Sequence, residues 1–231
     1  MKKYIFLISI FLFAVTNICA QKTFIFKKVS DNFDVKIKIG SCDEDGCNDK
    51  ATAFLMKKNQ SKAFQTIEMK EMFLRLTEEQ TSKIDAAEFS GDGVGGVYFE
   101  DFNFDGADDL ALSNGNYGPY GGISYDIFLF SKTTGKFVFN EKLSGLASES
   151  MMLDTDKKKK TIEAYTKSGC CWHQTTRYKF TGNRLTKIYV FTEDASRGDD
   201  KVRLITETLI GRKWKKTTKV MRIKDYYKDD Q

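Results

Sequence analysis

The sequence predicts an all-β fold made of short antiparallel meanders, and three features indicate it. Apolar and polar residues alternate through 34–39, 125–130 and 136–139, which is the period of a strand with one buried face. Valine, isoleucine, phenylalanine, tyrosine and threonine are concentrated in these runs, as a half-buried pleated surface favours. Turn-forming segments such as KTTGK at 132–136 join successive runs, so hairpins are expected to follow one another along the chain.

The predicted hairpins fall into four sets, at 33–70, 96–143, 151–192 and 201–224. Successive short meanders of this kind predict a propeller-like fold or a stack of small sheets. The sets share no clear sequence repeat, so both arrangements stay open. One segment, 69–83, has a helix-like pattern, although its first half could instead complete a strand.

The composition supports a packed core. Hydrophobic residues make up 41% and aromatic residues 13% of the 231 residues, which argues against disorder. The single proline argues against a proline-rich linker. We therefore expect one all-β domain over 21–231, which includes an acidic segment at 101–109.

The first twenty residues have the pattern of a secretory signal. Lys2 and Lys3 precede an apolar run over 5–15, and the segment ends in the small residue Ala20. The run is shorter than the roughly 20 apolar residues that span a bilayer. A signal peptide over 1–20 predicts a periplasmic or secreted protein.

Cys19 offers an alternative to cleavage after Ala20, namely lipidation. The preceding segment TNIC lacks the leucine and small residue that usually precede a lipidated cysteine, which favours cleavage. No later segment is apolar enough to predict a membrane span.

The charge is close to balance once the predicted signal is removed. Of 37 Lys and Arg residues, Lys2 and Lys3 lie in the signal, which leaves 35 against 32 Asp and Glu, a net charge of +3. This balance gives no reason to expect nucleic acid as a partner. The lysine run 157–160 fits a solvated turn better than a binding patch.

Four cysteines remain after the signal, and an even count in an exported chain favours disulfides. The polar segment CDEDGC predicts a turn closed by a Cys42–Cys47 bond. Cys170 and Cys171 are adjacent, and two pairings are open: a disulfide bond to each other, or disulfide bonds with the first two cysteines. Zinc binding by the cysteines is the competing interpretation, but the export signal and the single histidine, His173, disfavour it.

The segment FEDFNFDGADDLAL at 99–112 is the strongest functional motif. Asp101, Asn103, Asp105, Gly106 and Asp109 occupy positions 1, 3, 5, 6 and 9 of a loop. Odd positions of a tightly coiled loop converge on one centre, and oxygen donors of this kind suit Ca²⁺. Ala107 at position 7 is expected to contribute its backbone carbonyl, and Asp108 is expected to point away.

Three other identities fit this loop less well. An EF-hand needs a glutamate at position 12, where this sequence has Leu112, and it needs helices where these flanks alternate like strands. A metal-free acidic turn would leave carboxylates repelling one another at close range. Mg²⁺ is disfavoured because it requires a smaller, near-octahedral arrangement of oxygen ligands than Ca²⁺ does. We expect a calcium ion with a structural role.

The segment NGNYGPYGGISY at 114–125 follows the next strand. It contains four glycines, the only proline and three tyrosines. Tyrosines on an adaptable glycine scaffold are typical of protein-binding surfaces, because they bury a large area at a low entropy cost. The alternative is a connection between strands whose tyrosines cover the core.

The loop is similar to the calcium sites of FG-GAP and integrin-type propeller blades, with the pattern D-x-[DN]-x-D-G-x-x-D. Over 96–192, the segments DFNFDGADDLAL, GPYGGISYDIFLF, TGKFVFNEKLSGL and SGCCWHQTTRYKFTGNRL resemble a family of exported bacterial proteins. That family carries this calcium loop in a small propeller-like fold. It is related to periplasmic lysozyme inhibitors, which act as immunity proteins.

The resemblance implies a peptidoglycan hydrolase as the partner of a monomeric inhibitor. It implies contacts by Tyr120, Ser124 and Tyr125, with Tyr117 nearby. The alternative is an extracellular or cell-surface module that binds glycan or protein. The cluster CCWHQ at 170–174 lacks an acid to orient its histidine, so the sequence predicts a binding protein and not an enzyme.

Overall fold

A computed structural model describes residues 21–43, 46–75, 87–89, 96–150, 152–181 and 184–227. Its strands form three open sheets, which follow one another along the chain. This architecture confirms the prediction of an all-β fold, and of the two arrangements predicted it is the stack of small sheets. The signal peptide predicted over 1–20 lies outside the described residues.

Sheet one has the strand order β4-β3-β2-β1-β5. Its neighbours pair antiparallel except β1 and β5, which are parallel. The strands are β1 Lys22–Phe26, β2 Phe33–Ile39, β3 Gly46–Lys57, β4 Ala63–Arg75 and β5 Ala87–Phe89. The first half of the ambiguous segment 69–83 therefore completes β4, and its remainder falls outside the described residues.

Sheet two is an antiparallel meander in which strand order follows chain order. The strands are β6 Val97–Glu100, β7 Asp109–Ser113, β8 Tyr125–Ser131 and β9 Lys136–Phe139. A short 3₁₀ turn, Pro119–Gly121, lies between β7 and β8, and helix α1, Glu141–Glu149, follows β9.

Helix α1 was not predicted, although its start has a sequence signature. The side chain of Asn140 accepts a hydrogen bond from the Leu143 amide at 3.0 Å, as an N-cap residue does. Leu143 and Ala147, four residues apart on one face, are buried against sheets two and three.

Sheet three has six antiparallel strands in chain order. They are β10 Met152–Asp156, β11 Thr161–Ser168, β12 Trp172–Thr181, β13 Arg184–Asp194, β14 Lys201–Ile210 and β15 Lys213–Arg222, followed by the short helix α2, Ile223–Tyr226. The prediction of separate meanders over 151–192 and 201–224 was wrong. Residues 189–194 of β13 pair with 203–208 of β14, which joins the two meanders into one sheet.

Two apolar clusters hold the sheets together. Phe33 of sheet one packs on aromatic rings of sheet two, 5.0 Å from Phe137 and 5.3 Å from Phe130 between ring centroids. On the other side of sheet two, Phe102 and Ile127 pack with Ile162 of sheet three. Sheet two is thus covered on both faces, which explains why all five residues of β7 are buried.

Candidate functional site

The acidic loop, residues 101–108, connects β6 to β7 and coils around its own side chains. Asp101 accepts hydrogen bonds from the Asp105 amide at 3.0 Å and from the Gly106 amide at 2.8 Å. The oxygen of Asn103 accepts from the same Asp105 amide at 2.9 Å. Oxygens from positions 1 and 3 are therefore brought to one point, as the spacing predicts.

Asp105 extends this arrangement. One of its carboxylate oxygens accepts from the Ala107 amide at 2.8 Å, and the other accepts from the Asn103 side-chain amide at 3.1 Å. Partial burial acts to raise the pKa of Asp105, but these bonds and Lys132 outweigh it and leave the pKa below its usual value. Gly106 has a φ of +83° and permits the sharp turn of the chain.

Asp109 lies at the end of the loop and anchors it to sheet two. Its side chain is fully buried and accepts from the amides of Phe102 at 3.0 Å, Asn103 at 3.3 Å and Phe130 at 2.8 Å. Burial raises the pKa of this carboxyl to about 7. Asp109 thus ties together the loop and β8, and its role as a calcium ligand stays a prediction.

Asp108 points away from the loop centre, as expected. One of its oxygens accepts from the Ser30 hydroxyl at 2.8 Å and from the Asn32 side-chain amide at 3.1 Å. Ser30 and Asn32 lie between β1 and β2, so Asp108 links the acidic loop to sheet one.

Lysines lie close to the acidic loop. The ammonium group of Lys132 is 3.3 Å from an Asp105 carboxylate oxygen and also contacts the Asp105 carbonyl. Lys157 pairs with Glu100 at 2.9 Å, and Lys160 lies 3.5 Å from the Phe104 carbonyl. The run 157–160 does form an exposed turn, yet Lys157 pairs with the residue before the acidic loop and Lys160 reaches the loop itself.

The described residues include no cluster of three or more histidine, cysteine, aspartate or glutamate side chains arranged to hold a metal. In the acidic loop, the oxygens of Asp109 accept hydrogen bonds from the backbone amides of Phe102, Asn103 and Phe130. The oxygen donors that remain close together are those of Asp101, Asn103 and Asp105, one of them an amide.

The tyrosine loop, residues 114–124, lies at the opposite end of β7. Its backbone is closely bonded, with Gly118 N donating to Gly122 O at 2.9 Å and Ser124 N donating to Gly115 O at 3.0 Å. Tyr120 has a φ of +58°, which turns the chain sharply at the tip. The glycines indicated an adaptable loop, whereas the structure shows a loop whose backbone is bonded to itself.

Two of the four predicted contact residues are less exposed than Tyr117 and Tyr120. Ser124 is fully buried, and its hydroxyl accepts from the Tyr117 amide and donates to the Gly115 carbonyl, both at 3.2 Å. Tyr125 is half-buried, and its ring packs edge-on against Tyr98 at 5.1 Å. Ser124 supports the loop through its two hydrogen bonds, and Tyr125 packs against Tyr98 of sheet two.

Tyr117 and Tyr120 are the exposed aromatic residues of the loop, with 69% and 66% of their surface accessible. The Tyr117 hydroxyl donates to the carboxylate of Glu71 in β4. The Tyr120 hydroxyl accepts from the Gly169 amide at 2.5 Å, and the Lys167 ammonium lies 5.3 Å from its ring centroid. Each tyrosine is therefore held at its hydroxyl and presents its ring to solvent.

A cavity of about 450 Å³ opens beside Tyr117, and the sequence did not indicate it. Its polar lining includes Glu68, Glu71, Asn114 and Asp126. Asn114 donates to Asp126 at 2.7 Å. Burial raises the pKa of the Asp126 carboxyl, and the Asn114 bond opposes that effect. These groups come from β4, the tyrosine loop and β8, which local sequence patterns do not bring together.

Both cysteine pairs are at bonding distance, with S–S separations of 1.99 Å for Cys42–Cys47 and for Cys170–Cys171. This confirms the first predicted pair and settles the second as a bond between adjacent residues. With both sulfurs bonded, Cys171 is no nucleophile for His173, whose ring instead lies 6.2 Å from that of Tyr165. Across the described ranges, no helix has both the length and the apolar character to cross a membrane.

Comparison with known proteins shows the fold alone. No protein-family model matches this chain, and no curated protein matches it either. It is similar to a solved structure described as a Xanthomonas type IV secretion system related protein, with a TM-score of 0.63 and 19% sequence identity. The alignment covers 88% of this chain and 95% of that one, so the likeness extends over all three sheets.

Proposed function

We propose that this protein is an exported binding protein that uses the tyrosine loop to contact its partner. The observation that carries the proposal is the pair Tyr117 and Tyr120, two exposed rings on a loop whose backbone is fixed by its own hydrogen bonds. A surface that is already ordered loses little conformational entropy on binding, and tyrosine contributes a large contact area.

The proposed partner is a peptidoglycan hydrolase of the lysozyme kind, which the tyrosine loop would block. The resemblance of residues 96–192 to exported inhibitors supports this choice. The two disulfides fit an exported protein, because such bonds persist in oxidising compartments. The protein would act by binding and not by catalysis.

We also propose that Ca²⁺ binds the acidic loop. The side chains of Asp101, Asn103 and Asp105 and the Ala107 carbonyl would hold it, with Asp109 as the predicted fifth ligand. Oxygen donors suit this ion, and the loop already brings the oxygens of positions 1 and 3 together. Calcium would add rigidity to the junction of β6, β7 and β8.

Inhibition of a lysozyme-type hydrolase by residues 21–231 tests the binding function. Replacing Tyr117 and Tyr120 with alanine should weaken inhibition at least tenfold, while the melting temperature stays within about 2 °C, as expected for exposed side chains. Trp214→Ala, at an exposed aromatic residue of sheet three, is the matched control and should inhibit normally. Retention on polysaccharide without any effect on hydrolysis would instead support a glycan-binding module.

Thermal unfolding with calcium and with a chelator tests the metal proposal separately. A ligand at 100 times its dissociation constant stabilises the folded state by about 2.7 kcal/mol. For a chain of this length that corresponds to a rise of roughly 5–11 °C. Asp105→Ala should abolish the rise and Asp154→Ala, at another exposed aspartate, should not. An equal melting temperature with calcium and with chelator would contradict the metal proposal and leave the binding proposal standing.

A further inference from the structure

The positive charge of this protein is concentrated in one hairpin, formed by β14, β15 and their turn. Residues 201–222 contain eight Lys and Arg and one acidic residue, Glu207, which is a net charge of +7. The rest of 21–231 then has 35 − 8 = 27 basic and 32 − 1 = 31 acidic residues, a net charge of −4. The hairpin therefore stands out against a weakly acidic remainder.

Among the described residues, strand β15 is the last strand of sheet three, with β14 on one side and no strand on the other. It runs for ten residues, Lys213–Arg222, and nine of them are exposed. An edge strand directs about half of its backbone N–H and C=O groups outwards, where they can pair with another strand. This edge is therefore long and accessible from both faces.

One face of β15 carries uncompensated positive charge. Lys213, Lys215 and Lys219 lie on the same face, because side chains two residues apart point the same way along a strand. Their partners across the ladder are uncharged: Ile210, Thr208 and Leu204. None of the three lysines forms an ion pair within the part of the chain that the structure describes.

The opposite face is different in chemistry. It presents the exposed apolar side chains of Trp214 and Val220, with 45% and 53% of their surface accessible. The cations on this face already have partners, since Lys216 pairs with Glu207 and Arg222 pairs with Asp225, each at 2.9 Å. On this face the exposed apolar side chains of Trp214 and Val220 therefore lie beside cations that are already paired.

We propose that the outer edge of β15 accepts an extended polypeptide segment as a seventh strand of sheet three. The segment that fits has acidic residues alternating with apolar ones. Its carboxylates would lie beside Lys213, Lys215 and Lys219, and its apolar side chains beside Trp214 and Val220. The outward-facing backbone groups would bond to the segment, and the two faces would select its sequence. This surface is separate from the tyrosine loop and does not depend on its function.

Other occupants fit this edge less well. In an antiparallel pair of two copies of β15, the same faces meet, so lysines would lie beside lysines and repel one another. A polyanion without regular side-chain alternation would meet the lysines but leave Trp214 and Val220 uncovered. Lysines on an edge strand also hinder unwanted pairing, and this favours a partner of opposite charge.

The test uses residues 21–231 and a blocked heptapeptide, Glu-Val-Glu-Val-Glu-Val-Glu. A control peptide has the same residues in blocks, Glu-Glu-Glu-Glu-Val-Val-Val, and a second control replaces every glutamate with lysine. The alternating acidic peptide should bind at least tenfold more tightly than the block peptide, and the lysine peptide should not bind. Hydrogen exchange should slow at alternate amides of β15, because only outward-facing groups gain partners.

A charge reversal gives the sharper control. Replacing Lys213, Lys215 and Lys219 with glutamate should abolish binding of the acidic peptide and create binding of the lysine peptide. The matched variant, in which Lys28, Lys62 and Lys136 become glutamate, has the same net charge and should behave like the original protein.

Three outcomes would overturn the proposal. One is equal affinity for the alternating and block peptides, which would indicate general attraction of acidic chains. Another is tight binding without slowed exchange in β15. The third is a dimer of the protein that protects the same amides before any peptide is added.

Discussion

The acidic loop and the tyrosine loop lie at the two ends of β7 and solve the same problem in opposite ways. Each has to satisfy the backbone groups of a connection without regular structure. In the acidic loop, Asp101, Asn103 and Asp105 turn inwards and accept the loop's own amides. In the tyrosine loop the backbone largely bonds to itself, so Tyr117 and Tyr120 are free to face outwards.

The difference shows which loop can present a surface. Side chains that bond their own backbone are committed to local shape, whereas side chains on a self-bonded backbone remain available to a partner. The two loops are also separated by the length of β7, about 16 Å at roughly 3.3 Å per residue. Calcium at the acidic loop would therefore stabilise sheet two without touching the tyrosine loop.

The largest expected effect is at Asp109, where the acidic loop joins the core. Asp109→Ala removes the acceptor for three backbone amides, and we expect a loss of about 3 kcal/mol in the free energy of unfolding. Thermal unfolding should show a melting temperature lower by roughly 6–12 °C.

Asp109→Asn is the matched variant for this position. It keeps one side-chain oxygen as an acceptor and should lose less stability than the alanine variant. An alanine variant as stable as the original protein would show that water replaces the carboxylate easily. The acidic loop would then not anchor sheet two.

The next effect is at Ser124, the internal support of the tyrosine loop. Ser124→Ala leaves the Tyr117 amide without its side-chain acceptor, and we expect a loss of about 1–2 kcal/mol in the free energy of unfolding. Inhibition of the hydrolase should weaken as well, because the loop loses its fixed shape. Urea denaturation and an inhibition assay on the same variant check both results.

Tyr120→Ala should separate binding from stability at this end of β7. It removes an exposed ring and should weaken inhibition with little change in urea denaturation. The distinction between support and contact would be contradicted if Ser124→Ala and Tyr120→Ala lost stability equally.

A smaller effect is expected at Lys132, which lies against the acidic loop. Removing a unit positive charge about 4 Å from a bound divalent cation relieves roughly 2 kcal/mol of repulsion in water, which physiological salt screens to about 1 kcal/mol. Lys132→Gln should therefore tighten calcium binding about fivefold, as calorimetric titration can measure. Lys136→Gln, on an exposed lysine in β9, is the control. Unchanged affinity in Lys132→Gln would place the ion away from Asp105.

The smallest effect is the pH dependence of Asp126, beside the tyrosine loop. Burial raises the pKa of this carboxyl in the folded protein, so the folded state binds its proton more tightly than the unfolded state. Stability should then fall as the pH rises from about 4 through the raised folded pKa. Glu68, Glu71, Lys70 and Tyr117 also line the cavity and are unchanged in the variant.

Asp126→Asn removes this titration and can still accept the Asn114 bond through its side-chain oxygen. The stability of the variant relative to the original protein should therefore increase as the pH rises from about 4 through the raised folded pKa. Urea denaturation across that range measures the difference. A constant difference at all pH values would show that Asp126 titrates alike in both states.

Features that depend on near neighbours in sequence were predictable. Alternation of side chains identified β2, β8 and β9, because a half-buried strand imposes its period on any chain. The Cys42–Cys47 bond closes a short turn, so its ends are close whatever the rest of the chain does. The outward direction of Asp108 follows in the same way from its even position in the loop.

Features that depend on distant strands were decided only by the tertiary structure. Pairing of β13 with β14 joined two predicted meanders, and strand order made β15 an edge with lysines on one face. Ser124 and Tyr125 have the composition of a contact loop, but Ser124 is buried by its bonds within the loop and Tyr125 is half-buried against Tyr98. The Gly169 amide meets the Tyr120 hydroxyl only because sheets two and three pack together. Sequence determines local conformation through short-range sterics. Which side chains are exposed, and which sheets are in contact, depends on how the whole chain buries its apolar surface.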